Sequence, residues 1–149
     1  MTTTDLKAKI QAAATLALAD YATEYGIETP GTFLYGAKDV QNMVYNEPLP
    51  HIYCDPLRAR KNPATGLIEW PSVGIYPLTQ EPEDSSAAEA SAIMDQMEWL
   101  ADRFIFYFLT QDDELPDDIT YTEDDVVRFG MGRLSGKQLS IPVKGIKGC

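Results

Sequence analysis

Apolar residues recur at helical spacing in two long segments of the chain, residues 5–25 and residues 86–110. Thr4 is the predicted N-cap of the first helix, and Gly26 fits the position just past its end. Ser86 and Glu89 have the spacing of a capping box before the second helix. The apolar face of the first helix comprises Leu6, Ile10, Ala13, Ala14, Ala17, Tyr21 and Tyr25. The apolar stripe of the second comprises Ile93, Met94, Met97, Leu100, Ala101, Phe104 and Phe108.

Short β-prone stretches predict two hairpins, one before and one after the second helix. In the hairpin 51–78, a strand at 51–54 and a strand at 67–78 flank a loop, and Pro71 predicts a break in the second strand. The C-terminal strands span 119–147, with strands at 125–130 and 137–144 and turn residues Leu134–Gly136 between them. Because Pro142 has no backbone N–H, it restricts the last strand to an edge or a bulge.

The order helix, hairpin, helix, hairpin predicts an α+β fold in which an antiparallel sheet of two hairpins packs against two helices. We expect residues 1–149 to form a single domain. Prolines and glycines make residues 27–50 irregular, and this segment is either an arm reaching a neighbouring subunit or a loop around its own domain. Residues 111–118 predict an acidic loop.

Bulk composition favours an ordinary globular domain made in the cytoplasm. No apolar run approaches the roughly 18 residues that cross a bilayer, and the N-terminal residues lack the features of a signal peptide. Cys54 and Cys149 are the two cysteines, and neither belongs to a CxxC pair. The two cysteines leave open a disulfide between them, which reducing compartments disfavour.

The net charge of −11 is distributed unevenly along the chain. Residues 81–125 hold 15 acidic residues and 1 basic residue, whereas residues 126–149 hold 5 basic residues and no acidic one. Such acidity argues against a surface that grips phosphates. Two interpretations stay open: a solvated acidic face beside an ordinary basic strand pair, or two opposite poles that suit head-to-tail self-association.

The residues that are able to carry chemistry do not form a recognisable site. His51, Cys54 and Asp55 are close in sequence, but a strand places His51 and Cys54 on opposite faces, which disfavours both a metal site and a Cys–His pair. The acidic run 112–118 lacks the ligand spacing and central glycine of an EF-hand. We therefore predict no catalytic residue, no cofactor and no metal.

Trp99 and Phe106 lie on the second helix away from its apolar stripe, with Arg103 between them. Either the helix is sandwiched inside its own domain, or these residues form a subunit interface, where Trp, Phe and Arg are enriched. The candidate interface adds basic residues of the C-terminal part: Arg128, Arg133, Lys137 and Lys144. Candidate loop contacts are Arg58, Arg60 and Lys61. The candidate acidic lumen or partner face comprises Asp112, Asp113, Glu114, Asp117, Asp118, Glu123, Asp124 and Asp125.

The segment Phe33–Gly36 with Asp39 and Asn42, followed by Pro50–Tyr53 and Pro56, resembles small virion proteins of tailed bacteriophages. Tail-terminator and neck (head–tail joining) ring proteins share the order helix, sheet, helix, sheet. The resemblance implies a tail-terminator-like fold and a ring, commonly a hexamer, that joins the tail tube to the head connector. It implies partners that are copies of the chain and neighbouring tail or connector proteins, in the virion and away from membranes. DNA would pass an acidic lumen without specific binding.

A function of a different class is also open, namely a small monomeric acidic module that binds or inhibits a basic partner. The concentration of acidic residues in 81–125 motivates it. The two functions predict different oligomeric states.

Overall fold

The computed structural model describes residues 1–36, 48–82, 84–111, 119–129 and 134–146, and it confirms the predicted α+β fold. Two helices pack against one six-stranded, mostly antiparallel sheet. The helices are α1 (Thr3–Glu24) and α2 (Ala87–Thr110). The strands are β1 (Thr32–Tyr35), β2 (His51–Cys54), β3 (Arg60–Asn62), β4 (Leu67–Gln80), β5 (Thr122–Phe129) and β6 (Leu134–Ile146).

The strands lie in the order β1-β2-β4-β6-β5, and β3 pairs with the first part of β4. One pairing differs from the predicted antiparallel sheet, because β1 runs parallel to β2 with Thr32 opposite His51. The pairing of β1 places part of the irregular segment 27–50 within its own domain. Residues 37–47 of that segment lie outside the described residues. The short β3 was predicted as loop.

Helix α1 begins two residues earlier than predicted, because Thr2 and not Thr4 caps it. The Thr2 hydroxyl accepts a hydrogen bond from the Asp5 amide (3.1 Å), and the Asp5 carboxylate accepts one from the Thr2 amide (2.8 Å). Only Thr2 has an acidic residue three positions later, so this reciprocal pair selects it among three consecutive threonines. Gly26, with φ of 67°, follows the end of the helix as predicted.

The second helix starts at the predicted cap. The Ser86 hydroxyl accepts from the Glu89 amide at 3.2 Å and donates to the Glu89 carboxylate, also at 3.2 Å. The predicted apolar stripe is buried from Met97 onwards, whereas Ile93 and Met94 are only partly buried. Ile105 is buried too, although it was not assigned to the stripe.

The main core lies between the two helices and one face of the sheet. Small side chains at Ala13, Ala14 and Ala17 are fully buried and let α1 approach closely. Trp70 of β4 is also fully buried, and its indole N–H donates to the Thr3 hydroxyl at 3.2 Å. Other large buried contributors are Leu6, Ile10, Leu100, Phe104, Phe108, Ile75, Leu139 and Ile141.

The opposite face of the sheet carries a smaller apolar cluster that alternation along the strands directs away from the helices. Tyr53 and Tyr76 are paired across β2 and β4, and their ring centroids are 5.5 Å apart. The Tyr76 hydroxyl donates to the Asp55 carboxylate at 3.1 Å. Leu34, Leu78 and Leu134 complete this outer cluster.

Pro71 of β4 and Pro142 of β6 lie at the same irregularity of the sheet, a bulge in β4. The registers pair Trp70 with Val143 and Val73 with Ile141, so β4 carries one extra residue in the stretch that contains Pro71. Pro142 lies opposite this bulge, and β5 reaches only as far as Ser140. Pro142 therefore lies opposite a bulge, in a part of β6 that has β4 but not β5 beside it, which agrees with the prediction of an edge or a bulge.

The predicted turn at Leu134–Gly136 is wrong, since these residues already belong to β6 and pair with β4. Gly136 serves a close approach of backbones: a Cβ built there would lie 2.0 Å from the Pro77 carbonyl oxygen. A glycine in a strand interior indicates such an approach as readily as it indicates a turn.

We expect Gly136→Ala to destabilise the protein by about 1–3 kcal/mol, because the added methyl group forces two paired backbones apart. Gly145→Ala in the same strand is the matched control, since its Cβ would lie 3.3 Å from the flexible Met1 side chain. Urea unfolding followed by circular dichroism measures both. Equal stability of the two variants would contradict the close approach at Pro77.

Candidate assembly surfaces

The histidine and the buried cysteine do not form a reactive pair. Cys54 lies in the core on the helix side of the sheet, whereas strand alternation directs His51 to the other side. Burial, followed by the nearby Asp55 carboxylate, raises the pKa of the Cys54 thiol to about 12. The thiol is therefore protonated at neutral pH and is a poor nucleophile. Within the described ranges, no three His, Cys, Asp or Glu side chains converge as metal ligands.

Large apolar side chains are exposed on both helices and just after α1. Within the described part of the chain, Leu16 is 46% exposed and Phe106 is 53% exposed, and Tyr25 and Ile27 are also exposed. We call Tyr25, Trp99, Arg103 and Phe106 the seam patch, because Trp99 contacts both Tyr25 and Arg103 and Phe106 is the neighbour of Arg103 one turn further along α2. Contiguous exposed apolar surface on a globular domain is typical of an interaction site.

Contacts between the helices hold the middle of the seam patch in place. The Trp99 ring packs edge-on against Tyr25, with centroids 5.7 Å apart, and the Arg103 guanidinium lies 5.0 Å from the Trp99 centroid. Trp99 is half-buried by these contacts. The sequence left two interpretations open for the residues that lie off the apolar stripe. Trp99 packs within its own domain, as the first interpretation expects, whereas Phe106 is exposed, as a subunit interface requires.

Asp20 of α1 contacts two residues of α2 near the Phe106 end of the seam patch. Its carboxylate accepts a short hydrogen bond from the Tyr107 hydroxyl and lies 3.8 Å from the Arg103 guanidinium. The rings of Tyr107 and Phe106 are perpendicular neighbours, with centroids 5.3 Å apart. Phe106 points away from the buried Phe104 and Phe108 and is exposed. Its neighbour Tyr107 is held by the hydrogen bond to Asp20.

One of the predicted loop contacts, Arg60, is joined through Glu69 to a residue of the C-terminal strand at one end of the sheet. Glu69 of β4 lies between Arg60 and Lys144 in a cross-strand row. Its carboxylate is 2.5 Å from the Arg60 guanidinium and 3.9 Å from the Lys144 ammonium. Arg60 lowers the pKa of Glu69 by donating hydrogen bonds to its carboxylate. Lys61 on β3 and Arg58 just before it are exposed nearby. We call Arg58, Arg60, Lys61 and Lys144 the basic end.

Lys137, a member of the predicted interface, does not form part of an open basic surface. Its side chain is only 12% exposed, and its ammonium lies 2.5 Å from the Asp125 carboxylate. The neighbouring carboxylates of α2 and β5 are those of Glu98, Asp102 and Glu123. We call Glu98, Asp102, Glu123 and Asp125 the acidic cluster. Lys137 is thus a cation held among carboxylates.

Two carboxyl groups of the acidic cluster, those of Glu123 and Asp102, hold their protons more tightly than isolated carboxyl groups do. Burial is the main cause that raises the pKa of Glu123, and repulsion by Glu98, Asp102 and Asp125 adds to it against the attraction of Lys137. Burial and then Glu98 raise the pKa of Asp102. Asp124 belongs to the same predicted acidic face but points to the other side of β5 and is exposed.

An open groove of about 490 Å³ runs between the first half of α2 and the strands β5 and β6. Its apolar floor includes Met94 and Val127, and Val127 is 62% exposed. The remaining lining residues are Glu81, Ala90, Ser91, Asp95, Asp125 and Lys137. Sequence reasoning did not find this groove. The one feature of the sequence that indicates the groove is the pair Val126 and Val127. Because consecutive strand residues face opposite sides of a sheet, only one of the two can pack in the outer cluster, and the other lies on the opposite face.

Part of the predicted site lies outside the described residues, namely Asp112, Asp113, Glu114, Asp117, Asp118 and Arg133, and so does Cys149. Arg128 lies in β5, but its side chain is not among those described.

Comparison with known proteins gave no relative from which a function is transferable: no protein-family model matches the chain, and no curated protein sequence matches it. Neither described helix is both long and apolar enough to cross a membrane. The described residues thus present four surfaces: the seam patch, the groove, the basic end and the acidic cluster.

We expect Glu123→Gln to stabilise the protein at pH 7, by less than about 1 kcal/mol because the group is partly solvated. The folded-state pKa of Glu123 is raised, so its contribution is favourable below the unfolded-state pKa and is lost as the pH rises through the folded-state pKa. The advantage of the variant should vanish near pH 4. Thermal unfolding between pH 4 and pH 8 measures it. Asp124→Asn is the control, and an equal gain from it would contradict the clustering.

Proposed function

We propose that this chain is a structural protein of a tailed-phage virion, whose copies assemble into a ring at the tail end or neck and join the tail tube to the head connector. Its role in this proposal is assembly and not catalysis. The observation that carries the proposal is the seam patch, where Arg103 lies against Trp99 and the aromatic side chain of Phe106 is exposed on the outside of α2.

The residue types of the seam patch are those that supply binding energy in protein interfaces. Trp, Tyr and Arg dominate interface hot spots, where they lie in the centre of a patch and lose their water on binding. Holding these side chains in place beforehand reduces the entropy that association costs. The contacts of Arg103 with Trp99 and Asp20 provide such support in the isolated subunit.

The charges of the subunit favour contacts between unlike surfaces. The acidic cluster and the basic end lie near Lys137 and Lys144 of β6, which are roughly 20 Å apart along the strand. Alternation directs Lys137 to the helix side and Lys144 to the opposite side. A subunit with opposite charges at different ends and faces suits a heterologous contact, which closes into a ring when the rotation between subunits divides a full turn.

The phage assignment rests on the resemblance of the segments around Phe33–Gly36 and Pro50–Tyr53 to tail-terminator and neck proteins. In such a ring, the partners are copies of the chain and the adjoining tail or connector proteins. Acidic residues facing the channel would repel DNA phosphates, so that DNA passes without specific binding. The acidic cluster supplies carboxylates for such a face.

We expect the wild-type chain to form rings, commonly hexamers, at micromolar concentration, and Phe106→Ser to weaken their assembly by at least about tenfold, the effect of losing a hot-spot side chain. Native mass spectrometry and mass photometry measure the distribution of oligomers. Gln11→Ser is the control, because Gln11 is exposed on α1 outside the seam patch. A chain that stays monomeric at high concentration, also with tail-tube protein present, would overturn the proposal.

Location in the particle needs a separate test. A gold-labelled antibody against the chain should mark the tail end or the neck of intact virions in electron micrographs. Absence of the chain from purified particles would contradict the virion assignment even if the isolated protein forms rings.

The second candidate function is a monomeric acidic module that binds a basic partner. The observation that favours it is the acidic cluster, in which several carboxylates of α2 and β5 crowd around the single ammonium of Lys137. A pull-down from host lysate with the wild-type chain should then recover one basic protein in a salt-sensitive manner. Recovery of virion proteins alone would exclude this function.

A further inference from the structure

We propose that the Phe106 end of the seam patch on one copy docks into the groove at Met94 and Val127 of the next copy. This inference rests on the proposed function and names the two surfaces that meet in the ring. It commits to a second copy of this chain as the occupant of the groove.

The two surfaces are complementary in apolar character. Phe106 is the most exposed large apolar side chain of the helix layer, and Val127 is the exposed one on β5, among the described residues. The groove offers about 490 Å³ over the side chains of Met94 and Val127. Methionine adapts its shape and makes favourable contacts with aromatic rings, so it suits the floor of a site for phenylalanine.

The charges are complementary as well. Three carboxylates line the groove, those of Glu81, Asp95 and Asp125, against the one ammonium of Lys137. The seam patch brings the Arg103 guanidinium, whose side chain is 45% exposed and 3.8 Å from Asp20. Arginine carries five N–H donors, so this ion pair leaves capacity for a carboxylate of the neighbouring copy.

The placement of the two surfaces on α2 determines the symmetry of the contact. Met94 and Phe106 are twelve residues apart, which corresponds to about 18 Å along the helix and a rotation of about 120° around it. A patch and a groove on different faces of one subunit give a head-to-tail contact. Such a contact leaves an unused patch and an unused groove on every dimer, and the chain of contacts continues until it closes.

The test uses two single variants that damage opposite surfaces. Phe106→Asp places a charge in the patch and leaves the groove intact, whereas Val127→Asp does the reverse. Each variant alone should be monomeric, with its self-association weakened at least about tenfold. An equimolar mixture should form a heterodimer, because the intact patch of the Val127 variant fits the intact groove of the Phe106 variant. The heterodimer should not grow, since its remaining surfaces are both damaged.

Native mass spectrometry distinguishes the heterodimer from homodimers by mass, and circular dichroism verifies that each variant is folded. Gln11→Asp on α1 is the matched control for an added surface charge and should assemble like the wild type. If the wild type forms rings but the Val127 variant also does, the groove is not the docking site and only this inference fails. If both variants are monomeric and their mixture stays so, the patch and groove do not meet. A monomeric wild type overturns the proposed function together with this inference.

Discussion

The antiparallel pairing of β4 with β6 is the constraint on which the rest of this structure depends. It runs from Leu67 opposite Ile146 to Gln80 opposite Leu134, and it places one strand of each predicted hairpin at the centre of the sheet. The bulge at Pro71 and the close approach at Gly136 adjust this one ladder. Because a register slip by one residue would exchange the two faces of a strand, the pairing also decides which side chains meet the helices.

The pairings around β4 and β6 separate the charges of the subunit. The β4–β6 ladder brings Lys144 beside Glu69, which β3 joins to Arg60, and the β5–β6 ladder holds Lys137 beside Asp125 nearer the other end of β6. Helices α1 and α2 cover one face of the sheet, and the outer side of α2 carries the exposed Phe106. The uneven distribution of charged and apolar surface among the described residues is thus a consequence of the strand register combined with the placement of α1 and α2.

Sequence reasoning located the seam patch better than the charged surfaces. Helical periodicity placed Trp99, Arg103 and Phe106 off the apolar stripe, because their angles around a helix follow from spacing alone. It did not show that Trp99 is half-buried against Tyr25, since that contact joins segments far apart in the chain. It also grouped Lys137 with the basic residues, because counting charges along a chain ignores which strand lies opposite.

The sequence by itself determined the two helices, the position of the first hairpin, the place of an irregularity at Pro71 (a bulge in a continuous strand and not the predicted break) and the α+β class, because these depend on local periodicity, capping and backbone restrictions. Only the tertiary structure decided the parallel β1, the start of β6 at Leu134 and the groove over Val127. Their physical reason is shared: each depends on which distant backbone lies alongside, as the Pro77 carbonyl does at Gly136. Local preferences carry no information about such neighbours.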